Sequence, residues 1–225
     1  MSERATSTRA GAKDRALGYV RDRILTGEFR GGDLLSEGEV AKALDMSRTP
    51  VREAFLRLEA EGLLKLFPQR GALVVPVSPE EVRSVMEARL VLESFAIEKI
   101  VNGDRDRLRR VVDRMEAELE RQRRVVGSAE LRAFLDADRA FHTAMIEAAE
   151  NSVFTPVYAS LRDRQLRMIG ESAVASPGRL ESIIAEHEAI ARAIAEHDLD
   201  GARHALRHHL GGTVLALGLA AGPVF

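Results

Sequence analysis

A mainly α-helical fold in two parts is predicted by three features of the chain. Apolar residues recur at helical spacing through most of its length, β-prone runs fall only between residues 63 and 77, and Ser78-Pro79-Glu80-Glu81 signals a helix start that divides a short first part from a longer second one. At 225 residues there is room for two modest domains, each with a core. The absence of cysteine removes disulfides, cysteine zinc sites and thiol catalysis together, so any metal must be held by histidine and carboxylate. The start of the chain lacks the apolar core of a signal peptide, and no apolar run reaches the roughly 18 to 20 residues of a membrane span. A cytoplasmic protein with no membrane partner is therefore expected, its apolar tail 213–225 forming a packed helix end. The net charge of −2 argues against an indiscriminate polyanion binder, but it is uneven. Residues 1–78 hold 13 Lys and Arg against 11 Asp and Glu, leaving 20 against 24 beyond, which fits a DNA-facing first part and an acidic second part.

Residues 1–12, rich in Ser, Thr, Arg and Ala without periodicity, are expected to form a disordered arm. The first domain then occupies 13–77. Leu17, Val20, Ile24 and Leu25 make a first helix over Lys13 to Thr26, ended by a turn over 27–33. Ser36 caps a short second helix reaching Leu44, with Glu39 completing a capping box. Asp45-Met46-Ser47 turns into a third helix, in which Val51, Phe55 and Leu58 form the core face and Gly62 stands where a helix C-terminus favours positive φ. Ser47 or Thr49 can cap it, and Pro50 sits in the first turn, where its missing N–H costs no helix hydrogen bond. Arg48 and Arg52 lie off the core face.

Two short helices joined by a tight turn give a helix-turn-helix layout. A third helix whose first turn offers free backbone N–H groups, hydroxyls and two guanidiniums is suited to enter a major groove; the same residues also fit a solvated helix with two surface arginines. The runs 63–67 and 72–77, separated by Pro68-Gln69-Arg70-Gly71, predict a hairpin. There Gly71 permits close backbone approach to a phosphate or minor groove, with Arg70 beside it; an ordinary turn glycine and surface charge fit equally.

The stretch LLSEGEVAKALDMSRTPVREAFLRLEAEGLLKLFPQRGALV resembles the winged helix-turn-helix of the GntR family of bacterial transcription regulators. That resemblance implies that Arg48, Thr49, Pro50, Arg52 and Gly71 stand where family members contact operator DNA. The chain departs from the family at Gly38, where an arginine that commonly contacts a base or phosphate usually stands.

From 78 to 225 only amphipathic helices are predicted, roughly 79–101, 104–125, 129–149, 152–173, 178–196 and 199–219, giving an antiparallel bundle of about six. The pattern resembles the FadR-type C-terminal (FCD) domain, and the helix number its VanR-like variant.

Polar residues interrupt three of the apolar stripes. The third bundle helix reads Leu131, Leu135, Asp138, His142, Met145; the fifth reads Ile183, His187, Ile190, Ile194; the last reads Leu199, Ala202, Leu206, His209, Thr213. Burying polar groups costs a few kcal/mol each unless they are paired or bind an ion. Asp138 and His142, four apart, can ligate one ion from a single helix face, and His187 and His209 complete three nitrogens and one oxygen. Such a set suits a divalent transition metal, Zn, Ni or Mn, with open positions. Singly, each histidine also fits a satisfied core residue, and Asp138 with His142 a helical ion pair. The resemblance adds that D-x-x-x-H followed by two later histidines matches the metal-binding set of many FadR-type domains. His204 and His208 lie off the stripe, and His197 has no evident partner.

Arg89 falls on the inner side of the first bundle helix with Val82, Met86 and Leu92, one turn from Glu93. An inward guanidinium is suited to clamp a carboxylate, while spacing alone fits an Arg89–Glu93 ion pair as well. In the resembling family an arginine here often faces the effector pocket, so metal and arginine together imply a small organic-acid effector. The expected function is a metabolite-responsive regulator, a repressor by preference, that binds a palindromic operator as a homodimer. A metal-responsive regulator and a metal-dependent hydrolase are the alternatives.

Overall fold

The computed structural model describes residues 2–127, 130–222 and 225, with the backbone alone of 2–10, 162, 163, 174 and 175. The chain forms two compact units, Met1–Val77 and Ser78–Phe225. Among the described residues no helix is long and apolar enough to cross a membrane.

The first unit contains α1 (Ser2–Leu25), β1 (Leu34–Leu35), α2 (Glu37–Ala43), α3 (Arg48–Ala60), β2 (Leu64–Phe67) and β3 (Gly71–Val74). Val20, Ile24, Val51, Ala54, Phe55, Leu58, Leu64, Ala72 and Val74 form its core. α1 begins at Ser2 and so takes in the segment 2–12, for which an arm is expected from the sequence. Its alanines, arginines and glutamate favour a helix already nucleated downstream, and such an extension needs no apolar stripe. The expected hairpin is present as β2 and β3, and β1 joins it in the order β1-β3-β2. β1 is only two residues long and pairs Leu34 with Leu73 and Leu35 with Ala72, too short for any alternation to reveal it.

Ser36 caps α2 by accepting the Gly38 N–H, and α3 begins after Ser47, whose side chain makes no capping bond. Glu59 on α3 accepts the Leu66 N–H at 2.8 Å, which ties the wing to the helix.

The second unit has six helices among the described residues: α4 (Pro79–Val101), α5 (Arg105–Val125), α6 (Leu131–Ala148), α7 (Phe154–Ala175), α8 (Arg179–Ala195) and α9 (Leu199–Ala216). Residue 129, the expected start of the third, lies outside the described residues. Ser78 caps α4 by accepting the Glu81 N–H, Asp104 caps α5 and Asp198 caps α9. The last helix stops at Ala216 rather than 219 because Gly218 takes φ +73°, a conformation that ends helices. Each helix turns its apolar stripe inward, so the residues that break the stripes are buried together.

Candidate functional site

Three histidines converge in the core of the helical unit: His142 from α6, His187 from α8 and His209 from α9, all at most 1% exposed, each offering a nitrogen within 4.8 Å of the others. His142 Nε2 lies 3.1 Å from His187 Nε2, and the Nε2 of His209 is buried without a hydrogen-bond partner. Asp138, one turn before His142, places an equally unpartnered Oδ1 3.6 Å from His187 Nε2. The four residues singled out by the stripes are thus neighbours in space.

The opposite edge of each ring is held by a residue that the sequence did not flag as its partner. His142 Nδ1 is 2.8 Å from Glu93 Oε2, His187 Nδ1 is 3.0 Å from Gln122 Oε1, and His209 Nδ1 is 2.8 Å from Glu186 Oε2. Those oxygens accept, so each ring donates through Nδ1 and directs a bare Nε2 lone pair inward. Burial holds His187 and His209 well below the ordinary histidine range, with the neighbouring imidazoles and Arg89 acting in the same direction. Nitrogen lone pairs that converge in a buried core repel one another and are satisfied by a cation, so the donor set fits a divalent transition metal. Burial raises the Asp138 carboxyl, with Glu93 adding to the rise and His142 and Arg89 opposing it.

The supporting residues form networks. Glu93, wholly buried, accepts from Arg89 Nε at 2.8 Å, Tyr158 hydroxyl at 2.9 Å and His142. Burial pushes its carboxyl up, but Arg89 and His142 outweigh this and hold it well below the usual range. Glu186 receives Arg179 through both terminal nitrogens, and Arg179 also donates to Thr213. Gly212 permits this approach, since a Cβ there would lie 2.9 Å from Glu186 Oε1 and 3.1 Å from Arg179.

Arg89 makes the intrahelical ion pair with Glu93, one of the two readings its spacing allowed. Its Nη2 is nevertheless buried and unpartnered, which leaves one edge of the guanidinium for a carboxylate. Of the remaining histidines, His197 sits 3.4 Å from the Val101 carbonyl, while His204 and His208 are exposed.

In the first unit, Arg48, Arg52, Arg70 and Gly71 line one cleft of about 740 Å³ between the start of α2, α3 and the wing. Arg48, Thr49, Arg52 and Arg70 are exposed. Two of the residues expected at the DNA also have a place in the packing of this unit. Pro50 is buried with Val51 and Ala54, so it shapes the first turn of α3 rather than facing outward. Gly71, at φ +99°, is required by an internal approach: a Cβ there would stand 2.4 Å from the Leu35 carbonyl oxygen of β1. Gly38 lies beneath Arg48, whose Nη2 is 3.4 Å from the position of a Cβ.

Residues 12–74 match the bacterial regulatory proteins of the gntR family, and residues 84–212 match the FCD domain. An HTH-type transcriptional regulator of Streptomyces ambofaciens is 34% identical over 85% of this chain and 78% of its own length. The gluconate operon transcriptional repressor of Bacillus licheniformis is 27% identical over 86% of this chain and 79% of its own. A GntR transcriptional regulator from Rhodococcus sp. RHA1 has the same fold, with a TM-score of 0.71 at 23% identity over 93% of this chain and 99% of that one. The family and these relatives are transcription regulators and not enzymes, which sets aside the hydrolase reading. With a winged helix-turn-helix ahead of an FCD domain, the chain belongs to the FadR-type branch of the GntR family of bacterial transcription regulators.

Proposed function

We propose that this protein is a repressor that binds a palindromic operator as a homodimer and responds to a small organic acid sensed beside a divalent metal in its helical unit. Arg48, Thr49, Arg52 and Arg70 would face the DNA, positioned by the buried Pro50 and by Gly71. His142, His187, His209 and Asp138 would hold the metal, which when bound supplies positive charge and open coordination positions for a chelating carboxylate. Arg89 Nη2 would take the other end of that acid.

The observation that carries this reading is the pair of unmet needs in one core: imidazole lone pairs turned on one another, and a guanidinium edge without an acceptor. A carboxylate metabolite satisfies the second without disturbing the Glu93 ion pair. Binding it shifts the population among dimer arrangements, and operator affinity falls as the arrangement matched to the two half-sites is depleted.

Elemental analysis of the purified, untagged protein tests the centre directly. About one transition metal per chain is expected, lost in His187→Ala. Operator affinity measured across a panel of organic acids, with metal present, tests the sensor. Equal affinity throughout that panel would remove the carboxylate effector, and a response to metal exchange alone would make the ion itself the signal.

A further inference from the structure

Helices α8 and α9 leave a groove of about 660 Å³ between them. Helical spacing makes it continuous: Arg179, Ser182, Glu186 and Ala189 recur every three or four residues on α8, and His208, Gly212 and Leu215 do so on α9. Its lip is exposed, Leu215 being 60% so, but its floor is not. Arg179 and Glu186 make that floor at 6% and 9% exposure, joined through both terminal nitrogens of the guanidinium. Gly212 keeps the pair uncovered, since a Cβ there would stand 2.9 Å from Glu186 Oε1 and 3.1 Å from Arg179. Glycine weakens a helix interior relative to alanine, and the backbone at Gly212 does not need positive φ, so what the residue supplies is space.

The floor keeps one unmet donor. Nη1 and Nη2 of Arg179 serve Glu186 and Thr213, while its Nε is buried with no hydrogen-bond partner among the described residues. The groove also begins at the start of α8, where Gly178 provides no capping side chain and the positive helix end is left for another acceptor.

We infer that this groove is a second ligand site, which takes a monocarboxylate with a short apolar body. The carboxylate accepts from Arg179 Nε beside the start of α8, and the body lies over Gly212 against Ala185 and Leu215. Charge decides the class. Arg179 and Glu186 cancel, so the floor offers one orphaned N–H and a helix end, which suit a single negative charge. A phosphate dianion would set its second charge against Glu186. This site is separate from the one proposed at Arg89, for neither Arg89, Asp138 nor any of the three core histidines lines the groove. Glu186 is the wall between them, receiving His209 Nδ1 at 2.8 Å through Oε2.

Isothermal titration calorimetry of the full chain with hexanoate, hexanol and inorganic phosphate tests the site. Hexanoate is expected to bind the wild type, and to bind His187→Ala at one site per chain, because the groove needs no metal. Arg179→Lys keeps a cation beside Glu186 but loses the Nε–H, and is expected to weaken hexanoate binding at least about tenfold. Ala185→Leu fills the groove from an exposed helix position, so the fold is not at risk; a loss of similar size is expected, with unchanged helical content by circular dichroism. No binding of hexanoate, hexanol or phosphate bound as tightly as hexanoate, or a hexanoate affinity indifferent to Ala185→Leu overturns the assignment. Binding lost in His187→Ala but untouched by Ala185→Leu would move the acid to the histidine centre, overturning the groove and not the sensor reading.

Discussion

Arg89 holds a buried carboxylate at the same time as it offers an edge to a ligand. Glu93 has no access to water, so removing its cation leaves a bare charge in the core. Arg89→Met is expected to destabilise the protein by about 3–5 kcal/mol in denaturant unfolding, with part recovered by adding Glu93→Gln. A neutral Arg89→Met would show that Glu93 is held by Tyr158 and His142 alone. A milder test concerns Gln122, whose carbonyl fixes the ring of His187. Gln122→Leu fills similar space but removes that acceptor, and metal affinity by chelator competition is expected to fall about 10–100-fold. No change in affinity would mean that packing alone orients the ring. The convergence of these residues was legible in the sequence because Asp138, His142, His187 and His209 each break an aliphatic row. Their partners obeyed the same rule less visibly. Gln122 stands three residues beyond Leu119 on the inner stripe of α5, Glu93 drew notice only as a neighbour of Arg89, and Glu186 was hidden beside the stronger signal of His187.

Helices α1 and α3 are clasped at the end of α3, where Glu61 receives Arg21 and Arg57. Burial pushes the Glu61 carboxyl upward, yet the two hydrogen bonds and charges outweigh it and hold the group below its ordinary value. The folded state therefore binds this proton less readily than the unfolded chain, so the clasp contributes stability above the unfolded carboxylate pKa and loses it as pH falls through the folded one. Glu61→Gln is expected to reduce amide exchange protection in α1 at neutral pH, and the difference from wild type to shrink as pH falls below about 4.5. A difference that persists unchanged in acid would assign the loss to packing. At the other end of α3, Gly38→Arg is expected to push Arg48 off the start of α2, since even a Cβ there lies 3.4 Å from its guanidinium. Selection of operator variants should then show altered base preference, whereas an unchanged preference would mean that Arg48 does not read bases. The caps at Ser36 and Ser78 and the wing turn were legible because capping and turn chemistry are local. β1 was not, because its two residues are fixed by pairing with a strand nearly forty positions later.

The two units have separate cores, and only the helical one contains the histidine centre. Its histidines come from α6, α8 and α9 and their ring partners from α4, α5 and α8, so the centre joins elements far apart in the chain. A bound ion would close long loops in the folded state and stabilise that unit by mass action, about 4 kcal/mol when free metal exceeds its dissociation constant a thousandfold. The first unit draws its stability from Val20, Phe55, Leu58 and the three-stranded sheet, none of which belongs to the histidine centre. Calorimetry of the full chain is therefore expected to show two transitions, of which chelation lowers only the one belonging to the helical unit. His142→Ala should show that transition already lowered and indifferent to chelator. Two transitions that shift together on chelation would mean that the units unfold cooperatively, and metal loss without any shift would mean that the ion is held by a site the bundle does not need for its stability.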